Sequence, residues 1–344
     1  MQPGDVLILK GQDVRHLLQG QEARILDTVR RSYEVHRSGL SFLPHSTFLS
    51  FPNGGSDRVI ALPAYLGGEF ETAGVKWISS FSGNIGLGME RASAVVILNS
   101  TLTGRPEVIL EGSLISAKRT AASAALAAVS LHPNPDEQRV GLVGCGAINF
   151  EIIRFLRSVF PNLSELILHD LDRSRSLQFA EMSATEFGLN AIQITDDLNQ
   201  VFEECALISL ATTATQPHVF SLADPPQQRT ILHISLRDLA PEVILSSDNV
   251  VDDADHVCRA RTSLDLAAHL TGDRAFIRCS LADVLVQEAS PRASGHSTTI
   301  FSPFGLGILD LAVGKLACEL AQIHQTGTIV PSFLPDSWTQ PCAV

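Results

Sequence analysis

The stretch VGLVGCGAINFEIIRFL, residues 140–156, constrains this chain more than any other. An apolar run breaks on Gly144-Cys145-Gly146 and passes straight into a helical pattern. That order of strand, glycine turn and helix opens dinucleotide-binding βαβ units. Gly144 permits the tight turn, and Gly146 lets backbone approach a pyrophosphate at the helix N-terminus. The third position of the pattern serves close helix–strand packing, and here it is Asn149, so the motif reads as weakened.

The flanking sequence sets this turn in context. The next strand-like run, LSELILHD, ends in Asp170, 26 residues after Gly144. A carboxylate there accepts hydrogen bonds from both ribose hydroxyls and repels a 2′-phosphate, which favours NAD over NADP, while Arg173 and Arg175 nearby keep NADP open. From Arg139 the runs RVGLVG, INFEIIRFLRSVF, LSELILHD, SRSLQFAEMSATEF, NAIQIT, ALISLAT, TILHISL and DNVVDD alternate strand and helix. This rhythm predicts an α/β fold with a Rossmann-type doubly wound parallel sheet. The chain before it reads differently. A strand at Val6–Leu9 precedes a helical opening capped at Gln12-Asp13, with Ile25, Leu26, Val29 and Tyr33 at helical spacing. Short apolar runs punctuated by glycine and proline between Phe42 and Glu111 predict an antiparallel or mixed sheet. A helix over Ser113–Val129 and the turn-rich LHPNPDEQ close this part. The expected layout is an N-terminal α+β domain at 1–130, rejoined by 305–344, with the nucleotide domain at 131–304 inserted between. That layout explains why the glycine turn lies so deep in the chain.

With 344 residues and 37.0 kDa, the chain suits two cores, and 45% hydrophobic residues with mean hydropathy +0.17 supply both. A net charge of −12 argues against nucleic acid and anionic membranes as partners. The six cysteines form no CxxC pair and read as reduced thiols in a cytoplasm. His256 and Cys258 beside Asp252, Asp253 and Asp255 form the one cluster resembling a metal site, but they read better as a strand end and polar loop, so no metal is expected. The N-terminus has no signal-peptide pattern, and no apolar run reaches the ~20 residues of a membrane span.

Three charged residues stand in apolar surroundings. Arg119 lies in a helix of Ala, Ser, Leu and Ile, and a charge there needs a partner: Glu111 or Glu107 in a structural pair, or a substrate carboxylate gripped by the guanidinium. Lys76, in GVKWISS, faces either solvent or a binding cleft. Asp238 follows the apolar strand ILHISL at the carboxyl end where such sheets bind ligands; it is either a general acid or base, or the N-cap of the next helix. Arg91 reads as a local surface pair.

Taken together, DRVIALPAYLGG, GVKWISS, MERASAVVILN, EGSLISAKRTAASAA, VGLVGCGAI, ISLRDLAPEV and FSPFGLGILDLA resemble the ornithine cyclodeaminase and mu-crystallin family over nearly the whole length. Within it they are most similar to the dehydrogenases of 2,3-diaminopropionate biosynthesis in siderophore and peptide-antibiotic pathways. The resemblance implies a homodimer built through the N-terminal sheet. It implies NAD-dependent oxidation and hydrolysis of N-(2-amino-2-carboxyethyl)-L-glutamate to 2-oxoglutarate and L-2,3-diaminopropionate. It carries catalytic roles onto Asp238 and Lys76, substrate contacts onto Lys76, Arg119 and Arg91, and cofactor contacts onto Gly144, Gly146, Ala147, Ile148, Asp170, Thr212 and Ser235. The chain departs from the family pattern at Ser50, where related chains place a basic residue whose part Arg91 or His45 would take, and at Asn149. Two other functions stay open within the family: ornithine cyclodeamination or a related amino-acid dehydrogenation, and a non-enzymatic nicotinamide-nucleotide-binding role.

Overall fold

The computed structural model describes residue 2 and residues 4–52, 55, 57–223 and 227–335, which leaves Cys342 outside the described residues. The chain divides into two compact units, one comprising the residues up to Arg119 together with those from Leu306, the other Thr120–Gly305.

The first unit opens with β1 (Val6–Leu9), α1 (Gly11–Leu18) and α2 (Glu22–Arg37). The expected single helix is thus two, and Lys10 rather than Gln12 or Asp13 is the first N-cap; Asp13 sits one turn in and accepts a 2.9 Å bond from the Lys10 amide. Ile25, Val29 and Tyr33 are fully buried on one stripe of α2. Then come β2 (Ser41–Phe42), β3 (Thr47–Ser50), β4 (Arg58–Leu66), β5 (Thr72–Ser80), β6 (Ala92–Asn99) and β7 (Pro106–Glu111). They pair antiparallel, except that β1 joins β7 in parallel, so the sheet is mixed. α3 (Ser113–Leu131) follows, and the boundary between the units falls within it.

The second unit contains β8 (Arg139–Val143), α4 (Ala147–Val159), β9 (Glu165–His169), α5 (Arg173–Phe187), β10 (Ala191–Ile194), α6 (Leu198–Glu204), β11 (Leu207–Leu210), β12 (Arg229–His233), α7 (Pro241–Leu245) and β13 (Asp248–Val251). It ends with α8 (Ala254–Val257), α9 (Ser263–Thr271), β14 (Ile277–Ser280), α10 (Leu281–Leu285) and β15 (Thr298–Ser302). Eight strands form one wholly parallel sheet in the order β10-β9-β8-β11-β12-β15-β13-β14. Strand order reverses between β8 and β11, the position where doubly wound sheets open a ligand crevice at their carboxyl ends. β11, β12, β13 and β15 are buried at every position, as expected of strands covered on both faces.

The chain then returns to the first unit through α11 (Gly307–His324), which lies across β4, β5 and β6, and β16 (Thr328–Val330), antiparallel to β1. Gly307 and Gly314 let this helix sit close to the sheet, since a Cβ on them would lie 3.1 Å from the Leu62 carbonyl oxygen and 3.4 Å from Leu110. Among the described residues, no helix is long and apolar enough to cross a membrane.

Candidate active site

The glycine turn joins β8 to α4. Gly144 has φ +91°, and a Cβ on it would lie 2.5 Å from the Ala211 carbonyl oxygen, so only glycine fits. Gly146 is different. Its φ is ordinary, and a Cβ there would meet nothing closer than the Arg175 guanidinium at 3.7 Å. Among the described residues nothing demands glycine at that point; the small residue leaves space. Gly146 is the N-cap of α4 without a side-chain cap, so the first amides of the helix, at Ala147 and Ile148, keep their capacity to bind an anion. Asp170 turns toward this loop, accepting bonds from the Cys145 amide at 2.7 Å and the Asp172 amide at 3.0 Å. Arg173 is paired with Asp196 at 2.7 Å, while Arg175 stands beside the turn. A turn with space above Gly146, free helix-start amides and a carboxylate at the next strand end fits a dinucleotide: Gly144–Ile148 would hold its phosphates and Asp170 its ribose.

Asn149 corrects the reading of a weakened motif. The side chain is fully buried, donates to the carbonyls of Val143 (3.1 Å) and Gly144 (2.7 Å), and accepts from Ser209 Oγ at 2.7 Å. It ties the turn to β11, so hydrogen bonds do here what a small residue does elsewhere by close packing.

At the carboxyl ends of β11 and β12 lies a second cluster. Asp238 is fully buried and is not a helix cap, because the following α7 is capped at Ala240. Its Oδ1 accepts from Thr212 Oγ1 and from His218 Nε2 at 3.1 Å; its Oδ2 accepts from Ser235 Oγ and lies 3.4 Å from His233 Nε2. Thr212 and Ser235, expected at the cofactor, thus both spend a hydroxyl proton on Asp238. Burial by itself would raise this carboxyl's pKa, but the hydrogen bond from His218, the neighbouring His233 and the Ser235 hydroxyl together hold it far below the usual carboxylate range.

In the first unit the two isolated cations meet each other. Lys76 on β5 is buried, with Nζ 2.8 Å from Asp310 Oδ2 and 3.1 Å from Ser116 Oγ. Arg119 is also buried, with Nε 3.1 Å from Asp310 Oδ1. Neither Glu111 nor Glu107 is the partner: Glu111 instead accepts from the Ser113 and Leu114 amides at the start of α3. Asp310, fully buried on α11, is the residue that the sequence reading missed. Burial, followed by the Arg119 charge, pushes the Lys76 ammonium down, and Asp310 opposes them, leaving its pKa at about 8. The cluster thus keeps two cations against one carboxylate at neutral pH. Arg91 lies outside it, at the β5–β6 end, bonded to Ser80 Oγ at 2.5 Å. The register Ser50↔Arg58↔Ser80 sets a further arginine beside Ser50, on the sheet face that Lys76 shares.

The residues around His256 have structural work. Asp253 caps α8, Asp255 pairs with Arg274 at 2.5 Å, and buried Asp252 accepts from the Phe304 and Gly305 amides. Among the described residues, no group of three or more His, Cys, Asp or Glu is placed to hold a metal.

The parallel sheet, its switch point and the glycine turn set the chain among the Rossmann-type α/β proteins. It belongs to the ornithine cyclodeaminase/mu-crystallin family, whose profile matches residues 7–324. The chain is similar to the N-((2S)-2-amino-2-carboxyethyl)-L-glutamate dehydrogenase of Staphylococcus aureus, 24% identical over 331 residues that cover 94% of this chain and 98% of that one. Its fold matches the Δ(1)-pyrroline-2-carboxylate reductase of Thermococcus litoralis, solved with NADH and L-proline, at TM-score 0.85 and 23% identity, covering 94% and 99% of the two chains. It likewise matches an archaeal alanine dehydrogenase dimer with bound NAD, at TM-score 0.83 and 23% identity, covering 95% and 99%.

Proposed function

We propose that the protein is an NAD-dependent amino-acid dehydrogenase that oxidises and hydrolyses N-(2-amino-2-carboxyethyl)-L-glutamate. The products are 2-oxoglutarate and L-2,3-diaminopropionate, the latter supplying a siderophore or peptide-antibiotic pathway in the cytoplasm. The observation that carries this reading is the uncompensated positive charge of the Lys76–Asp310–Arg119 cluster. A buried excess cation calls for an anion, and a substrate rich in carboxylates supplies it. Arg58 and Arg91, farther along the same sheet, suit a second carboxylate. The similarity to the Staphylococcus aureus dehydrogenase and the NAD or NADH held by proteins of this fold support the same assignment.

Bound NAD would supply the hydride acceptor for the glutamate Cα–H. Lys76 and Arg119 hold carboxylates and so fix which carbon is presented for oxidation. Proton handling during hydrolysis of the resulting iminium falls to the polar cluster around Asp238. Ornithine, whose distal amine wants an anionic contact, suits this cationic surface less well.

Incubating the protein with NAD and the glutamate–diaminopropionate adduct, followed by mass spectrometry, tests the reading. The expected result is 2-oxoglutarate and 2,3-diaminopropionate in step with net NADH. Ammonia and proline formed from ornithine without net NADH would instead establish a cyclodeaminase, and binding of NAD without turnover of any amino acid would establish a binding protein.

A further inference from the structure

Asp238 is poorly suited to take a proton itself. Its side chain is completely buried, and four groups compete for its two oxygens. A carboxylate stabilised so far below the working pH is a weak base, since general bases act best with a pKa near ambient pH. Among the titratable members of the cluster, His218 reaches the surface: 39% of its side chain is exposed, against none for His233 and Asp238. Its Nε2 is committed to Asp238 Oδ1, while Nδ1 has no hydrogen-bond partner among the described residues. The loop that carries it is sewn to the Asp238 segment. The amides of His218 and Val219 both donate to the Asp238 carbonyl at 2.9 Å, and the Ala240 amide donates to the Val219 carbonyl at 2.8 Å. The imidazole is therefore held by backbone as well as by the carboxylate, which preorganises it at little further entropic cost.

We propose that His218 is the acid–base residue of this site and that Asp238 is a positioning residue acting through it. The proposal rests on the dehydrogenase reading above. Asp238 fixes the proton on Nε2, which leaves the Nδ1 lone pair able to accept a proton. As the oxygen of water bonds to the iminium carbon, the carbon–nitrogen π pair passes to nitrogen and Nδ1 takes the water proton. When the carbon–nitrogen bond of the carbinolamine breaks, the proton on Nδ1 goes to the departing amine, and the carbinol proton returns to Nδ1 and then to solvent as the carbonyl forms. His218 ends neutral, as it began, and Asp238 stays ionised throughout. Thr212 and Ser235 keep Asp238 in place.

Two measurements decide this. In kinetics, His218→Gln should melt and bind NAD as the wild type does and lose ~10² to 10⁴ in kcat. His218→Ala should regain turnover with added imidazole, and Asp238→Asn should not. Near wild-type turnover in His218→Gln alongside an inactive Asp238→Asn would overturn the proposal and make Asp238 the base. The second measurement needs no substrate: ¹⁵N NMR of the ring should show the Nε2–H tautomer of His218 in the wild type and a mixed tautomer in Asp238→Asn. A ring protonated on Nδ1 instead would overturn the proposal even if the dehydrogenase assignment holds. Failure of that assignment would show separately, as wild-type protein that turns over no amino acid.

Discussion

Lys76, Arg119 and Asp310 show how one buried carboxylate can leave two cations half-answered. Asp310 is fully buried between them, so it orients both, yet it cancels only one charge. Because burial and the Arg119 charge bring Lys76 to about 8, its ammonium is present at neutral pH and lost a little above it. The apparent KM for a carboxylate substrate should therefore rise as pH passes through about 8, with kcat less affected, in initial-rate measurements across that range. In Lys76→Arg the rise should vanish, because a guanidinium does not deprotonate there. A flat KM in the wild type would remove Lys76 from substrate binding. The same shift has a consequence for stability. The folded state binds fewer protons than the unfolded state between about 8 and the ordinary value of 10.5, so this group adds stability as pH rises through that window and costs stability below it. Arg119 is marked in the sequence by its isolation, and Asp310 in GILDLAVG is isolated in the same way. Glu107 and Glu111 are nearer in the chain, but the contact spans 191 residues. Contacts of that separation are set by topology and leave no local trace.

At the scale of elements, the turn between β8 and α4 is held by Asn149, whose amide joins two turn carbonyls to Ser209 of β11. Replacing it with alanine brings the motif nearer the usual pattern, yet strands buried groups at both ends. Asn149→Ala should lower stability by about 1–3 kcal/mol, seen as a reduced melting temperature. NAD affinity should fall with it, because the amides of Ala147 and Ile148 depend on this turn. An unchanged melting temperature would mean that the bonds contribute nothing net. The strand and helix alternation from Arg139 was legible because each element is a long run of one pattern bounded by turn residues. β14 and β15 were not, and β15 enters the sheet between β12 and β13 after a long connection that carries no strand-to-helix rhythm. Asp238 was legible as a strand-end carboxylate. His218 was not, since a histidine in the loop TTATQPHVF shows no periodicity and acquires its meaning only from the bond to Asp238.

For the molecule as a whole, assembly is the property that the mixed sheet bears on most directly. One face of that sheet is covered by α11, which brings Asp310 to Lys76. Strand register assigns Leu49, Trp77 and Ser79 to the opposite face, where Leu49 is 49% and Trp77 45% exposed. A shallow depression lined by Phe42, Pro63, Ala73 and Val75 continues the apolar surface. Apolar side chains concentrated on one exposed face mark an interface. We therefore propose a homodimer through this face, with each subunit bringing a net charge of −12. Like charge opposes encounter at long range while burial of Trp77 and Leu49 favours the contact, and salt weakens only the first of these. Sedimentation should give twice 37.0 kDa, with a dissociation constant that falls as ionic strength rises. Trp77→Asp should shift the equilibrium toward monomer by tenfold or more, since burying a charge or forfeiting about 1.4 kcal/mol of apolar burial is enough for that. Lys76 and Trp77 point to opposite faces, so the variant's Lys76–Asp310–Arg119 cluster should remain intact, and it should keep its fold by circular dichroism. A Trp77→Asp protein that sediments as the wild type does would move the interface elsewhere.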